Sequence, residues 1–187
     1  MQKLANQLIT PEIEAAIRRE FPLFKEFIIK HFGAEVFEEK IGGYQTMKRD
    51  RVIESIPLDF IPKDKDDKYF SLSQEKANRA WEMNEVRGDV TSAQSACKQA
   101  LPIKNLRTNE FELWGKYPGA IIILRPLKTA FSFSGLPALL DEAWQVWLTF
   151  RIEYLDYKGI QKFAEIRTEN IYIQKMLTHF AGETITD

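Results

Sequence analysis

Reactive side chains are scarce in this sequence. Among 187 residues there is one cysteine, Cys97, and there are two histidines, His31 and His179. A single cysteine cannot close an internal disulfide, which excludes the disulfide framework of small secreted proteins. Two histidines, with no Cys-x-x-Cys or His-x-x-x-His spacing, are too few soft ligands for a structural or protease-type zinc site. Only a carboxylate site for magnesium stays open, and no cofactor is expected. Gly42-Gly43 lacks the further glycines and the lysine of a phosphate-binding loop, and no Gly-x-Ser-x-Gly elbow occurs. The longest stretch without a charge, Thr129 to Leu140, contains Ser, Gly and Pro. It falls well short of the roughly 20 apolar residues of a membrane-spanning helix. The opening residues, Met1 to Gln7, carry neither a basic flank nor an apolar run. No targeting peptide or membrane association is therefore expected, and the cytoplasm is the expected location.

An excess of positive charge is missing as well. The chain has 26 Lys and Arg against 27 Asp and Glu, a formal net charge of −1, and the balance is close in both halves. Affinity for nucleic acid draws on counterion release from phosphates and usually leaves a basic stripe. The one candidate is Lys48, Arg49 and Arg51, already diluted by Asp50.

What is present is the material of a folded core, with 44% hydrophobic and 12% aromatic residues. The chain is too apolar for a disordered polyelectrolyte and long enough to bury a core. Thr10-Pro11 with Glu12 and Glu14 starts a helix: a hydroxyl cap, a proline where the N–H is orphaned anyway, and carboxylates at the positive end. Apolar spacing carries it to Phe32 and Gly33, with Pro22 expected to interrupt or kink it. A short helical turn follows over Ala34 to Lys40. Val52-Ile53, Ile56 and Leu58 to Phe60 read as short extended pieces, and Lys63 to Lys68 as a solvated loop. Helices are expected over about Gln74 to Val86, closed by Gly88, and over about Ser92 to Leu101, capped by Asp89 or Thr91 and stopped by Pro102.

The clearest strand signal comes next. Phe111 to Trp114, a Tyr117-Pro118-Gly119 turn and Ala120 to Leu124 read as a hairpin, followed by a third extended piece over Ala130 to Phe133. From Pro137 to Tyr157 two periods compete. Leu140, Ala143, Trp147, Phe150, Tyr154 and Tyr157 keep helical spacing, whereas Val146, Leu148, Phe150, Ile152 and Tyr154 alternate as a strand would. The helix is favoured, because Leu136 to Ala143 opens like one and no turn signal precedes Lys158-Gly159. A last helix runs from Phe163 to Phe180, joined to the previous one at Gly159. Together these features predict a single α+β domain over residues 1–187, with helices at both ends packing on a small, mainly antiparallel central sheet.

Candidate chemistry is thin. Cys97 has no histidine near it in sequence to act as a base and reads as a core thiol, while His31 and His179 read as helix C-terminal residues. Asp141 followed by Asp156-Tyr157-Lys158 resembles the Asp…(Asp/Glu)-x-Lys signature of the restriction-endonuclease-like nucleases. That resemblance implies a magnesium site held by Asp141 and Asp156, with Lys158 positioning the attacking water. It covers only these positions, and in that fold the motif lies on a strand. The same triplet also occurs at Glu38-Glu39-Lys40 and Asp66-Asp67-Lys68. Glu110 and Glu112 would share one side of a strand, where carboxylates mostly face water. The 13 Phe, 6 Tyr and 4 Trp are the unusual supply. Trp114, Tyr117 and Trp144 are the types that anchor protein interfaces. The expectation is a non-catalytic protein-binding module, an inhibitor, immunity or assembly factor of bacterial or phage type, whose partner is another protein. A magnesium-dependent nuclease and a nucleic-acid-binding module are the alternatives.

Overall fold

The computed structural model describes residues 7–87 and 97–182. Its first element, α1 (Pro11–Phe32), begins as the sequence requires: the Thr10 hydroxyl accepts from the Ile13 amide, and Lys30 and His31 occupy the last turn. Contrary to expectation, α1 runs unbroken through Pro22. The bond that proline cannot make would go to Arg18, and both residues are exposed, so water can serve the free carbonyl. The buried stripe Ile17, Phe21, Phe24 and Ile28 spans the proline and holds the helix together. Gly33 (φ +85°) ends it, and a 3-10 turn follows over Ala34–Phe37.

The next pair of elements, β1 (Gly43–Arg49) and β2 (Val52–Leu58), forms a tight antiparallel hairpin, Arg49 facing Val52 across Asp50 (φ +52°) and Arg51. The sequence marks extended pieces only in β2 and just beyond it. Strand β1 hides from a hydropathy pattern because its buried positions include Gln45 and Thr46, each hydrogen-bonded inside the fold. Next comes α2 (Asp66–Arg87). It begins inside the charged stretch expected to be a loop, with Asp66 and Asp67 at its positive end. Its buried residues include Ser73, Lys76, Ala77 and Ala80, small or polar side chains, beside Leu72 and Trp81, and they make no leucine stripe.

Residues 88–96, which include the expected cap at Asp89 or Thr91 and the stop at Gly88, lie outside the described residues. The helix expected up to Leu101 is not formed at its end: β3 (Cys97–Lys104) is a strand there, paired with β4 (Phe111–Lys116) in a separate two-stranded ribbon. Pro102 sits within β3 opposite Leu113, a position that a strand without inner neighbours tolerates. The expected hairpin of Phe111–Trp114 with Ala120–Leu124 is therefore replaced. The isoleucine run becomes β5 (Ala120–Ile123), paired with β6 (Thr129–Ser134). Both β5 and β6 are buried along their whole length, and a strand covered on two faces belongs in the main sheet.

The main sheet is antiparallel in the order β2-β1-β6-β5. Helix α2 covers one face. The other carries α3 (Ala138–Arg151), backed by α1, α4 (Tyr157–Ile166) and α5 (Ile171–Ala181). Period-two alternation sorts the side chains. Met47, Phe131, Phe133, Ile121 and Ile123 join the large core beneath α3, while Ala120, Ile122 and Ala130 meet Ala77, Ala80 and Trp81 of α2. The helical reading of the contested segment holds, since every residue from Leu140 to Thr149 is buried in α3. That helix stops at Arg151 rather than Tyr157. Asp156 then caps α4 by accepting from the Gly159 amide at 2.8 Å, so Gly159 lies in a first turn and is not a joint. The break between the last two helices falls instead before Asn170, whose side chain caps α5. The α+β architecture, with helices at both ends of a small antiparallel sheet, stands as expected. Among the described residues no helix is long and apolar enough to cross a membrane.

Candidate functional site

Helix α2 presents Lys76 on the stripe that faces the sheet, and α3 presents Asp141 in its first turn. Past the end of β6 the two side chains meet. Lys76 Nζ donates to Asp141 Oδ2 at 2.6 Å and to the Phe133 carbonyl at 2.9 Å, and Asp141 Oδ1 accepts from the Leu136 amide at 2.8 Å. Both residues are 1–2% exposed. Burial pushes the Asp141 carboxyl up to about 6, against the opposing pull of Lys76 and of the Leu136 amide. Room for the pair comes from Gly119, φ +132°, where a Cβ would stand 2.9 Å from Lys76 Nζ and 2.8 Å from Asp141 Cβ.

This ion pair forms part of the wall of a cleft of about 330 Å³. Lys40, Lys65 and Lys68 line it too, with Tyr69, Leu72 and Leu136 as less polar wall. Lys40 is paired with Glu38 at 2.9 Å and Lys65 with Asp64 at 3.0 Å. Sequence reasoning missed Lys76. Its signal was a lysine inside the stripe Leu72, Ser73, Lys76, Ala77, Ala80, a place where a charge survives only with a partner.

The other acidic residues read from the sequence are not gathered here. Asp141 stands in the first turn of α3, whereas Asp156 follows the helix and Lys158 opens α4, both exposed. Ten residues of helix set Asp141 and Arg151 apart by about 15 Å. Asp141 is committed to Lys76 and Asp156 to a helix cap, and the strand that the nuclease resemblance requires is absent because the segment is α3. Among the described residues no three His, Cys, Asp or Glu side chains are grouped to hold a metal ion. Glu110 precedes β4, and Glu112 accepts from Asn105 Nδ2 at 2.6 Å.

The aromatic candidates divide. Trp144 is fully buried, its indole N–H donating to Gln45 Oε1 at 2.7 Å, and Trp114 is buried against Leu72 and Ile103. Both are core side chains rather than contact surface. Tyr117 is exposed, and its carbonyl accepts from Arg79. The most exposed apolar residues of that region are two that the sequence marks only as part of a strand, Phe111 at 70% and Leu113 at 69%. They alternate with Glu112, itself exposed, and with the buried Trp114, so they share the outer face of the β3–β4 ribbon. Pro102 lies opposite Leu113 and Lys104 opposite Phe111, both exposed.

The basic trio does not form one patch. Lys48 and Arg49 point to opposite faces of the sheet: Lys48 reaches over the Trp81 ring on the α2 side, while Arg49 donates to Thr129 Oγ1 and Tyr154 Oη. Arg51 is exposed at the hairpin turn. Comparisons with family models, with curated proteins and with solved structures return no match.

Proposed function

We propose that this chain is a non-catalytic protein-binding module, an inhibitor, immunity or assembly factor of bacterial or phage type, and that its contact surface is the β3–β4 ribbon. One observation carries this reading: Phe111 and Leu113 stand side by side on the outer face of a two-stranded ribbon, about seven-tenths exposed. Covering side chains of this kind contributes roughly 1.5–3 kcal/mol each, so leaving two adjacent ones in water has a cost that a partner would remove. Among the described residues β4 pairs with β3 alone, which leaves its outer edge open to an extended segment. The occupant is accordingly a segment of another protein that adds to β4 by main-chain hydrogen bonds and rests apolar side chains on Phe111 and Leu113.

A photoreactive residue in place of Leu113 in the full chain, expressed in its native cells, would capture this protein. The captured protein, purified, should bind the wild-type chain and lose at least about tenfold in affinity for F111E/L113E, a change of about 1.4 kcal/mol. Retained affinity in that variant would overturn the assignment of the surface. Self-association at micromolar concentration, abolished by the same variant, would replace the foreign partner by a second copy. Metal-dependent cleavage of nucleic acid by the wild-type chain, lost in D156A, would overturn the non-catalytic reading.

A further inference from the structure

We propose that the cleft walled by Lys76, Lys68 and the first turn of α3 binds a small organic oxyanion, with its phosphate or carboxylate against the lysines and its body against Tyr69, Leu72 and Leu136. This site is separate from the ribbon and does not depend on it.

The chemistry follows from what the wall holds and from which donors are spent. The Lys76 ammonium has three N–H groups, and the protein fills two acceptor positions around it, Asp141 Oδ2 and the Phe133 carbonyl. Lys76 nonetheless belongs to the cleft wall, so an oxygen placed in the cleft can take the third. Four lysines line the space against two carboxylates, Glu38 and Asp141, and both carboxylates are already paired with lysines. Lys68 has no ion-pair partner among the described residues, leaving a cation at the rim to receive a second oxygen. Helix α3 adds to the same sign. Its cap residue, Pro137, supplies no side-chain acceptor, and Ala138 at its first position lines the cleft; the one carboxylate of the first turn, Asp141, is taken up by Lys76 and the Leu136 amide. A cation would find both carboxylates of this wall already paired and lysines in excess. A neutral apolar molecule would leave the third N–H of a buried ammonium without an acceptor.

A fully buried ion pair is seldom needed for stability, because well-packed apolar side chains of similar volume do as well or better. Placed at the floor of a cleft, the pair has a use that apolar side chains lack: Asp141 holds Lys76 charged and oriented in a dry wall, where its attraction for an oxyanion is weakly screened. The volume, about 330 Å³, suits an anion of one ring or a short chain and excludes a polymer.

The probes are phenyl phosphate, benzoate and phenol, titrated calorimetrically into the full chain at low salt. Phenyl phosphate or benzoate should bind saturably and phenol at least about tenfold more weakly, and the tighter of the two anions identifies the headgroup. K68E should weaken the anion by about fivefold without changing thermal stability. K76M/D141N, which retains an acceptor for the Leu136 amide and leaves no unpaired charge, should abolish binding while the chain stays folded by circular dichroism. No saturable binding of either anion up to about 10 mM would overturn the proposal. So would equal affinity for phenol, or anion binding unaffected by both variants.

Discussion

Lys76 and Asp141, 65 residues apart in the chain, meet at 2.6 Å with both side chains buried, and they join the helix layers on opposite faces of the sheet past the end of β6. Each charge is 1–2% exposed and has the other as its counter-charge. Removal of one partner therefore leaves the other uncompensated, and the two layers lose a direct link.

K76M should destabilise the fold by about 3–5 kcal/mol, since it strands a buried carboxylate. K76M/D141N should recover most of that loss. Urea unfolding of the two variants checks both, and a double variant no more stable than K76M would argue against the pair as the source of the cost.

Acidity should act through Asp141 in a defined window. Its folded carboxyl is raised from 3.8 to about 6, so between those values the folded chain binds more protons than the unfolded chain. In that window this group makes stability fall as pH rises, with the penalty complete above the folded value. D141N should flatten that part of a stability-against-pH curve. Carboxyl carbon NMR of Asp141 should give a midpoint well above that of ordinary aspartates.

Two buried tryptophans of one helix should respond differently to the same change. Trp144 donates to Gln45, whereas Trp147 Nε1 is buried and meets no acceptor among the described residues. W144F takes from Gln45 Oε1 the shorter of its two donors, leaving Gln145 Nε2 at 3.2 Å, and should cost about 1 kcal/mol more than W147F. Equal losses in chemical denaturation would contradict the Gln45 contact.

Gly135 lies where β6 passes β1. Its φ is +151°, and a Cβ there would come within 2.2 Å of the Gly42 carbonyl and 2.5 Å of Gly43 Cα. Both obstacles are backbone and cannot turn aside. G135A should lower stability by about 2 kcal/mol or more and shift the amide resonances of residues 42 and 43.

The ribbon should bear charge without harm to the fold. F111E/L113E puts carboxylates where the side chains are already mostly in water, so the unfolding free energy should change by no more than about 0.5 kcal/mol. A large loss would mean that the two side chains are packed rather than displayed.

Local chemistry wrote the ends of the fold. Thr10-Pro11 and Gly33 mark α1 because caps, a pre-set proline φ and a positive-φ glycine act within a few residues of one another, and the three-four spacing of α3 survives inside a competing alternation. The isoleucine run announced a buried strand for the same reason. Where a residue's state depends on what lies across from it, the sequence alone could not decide. Strand β1 carries Gln45 and Thr46 inward because Trp144, Gln145 and Ser73 wait for them, β3 is extended because β4 is beside it, and Pro22 is tolerated because the stripe on its far side is buried. The same holds for the cleft: Lys76 reads as an ordinary helix lysine until the fold brings Asp141 and the Phe133 carbonyl to it. A hydrogen bond is short-ranged, and only tertiary structure closes a distance of 65 residues.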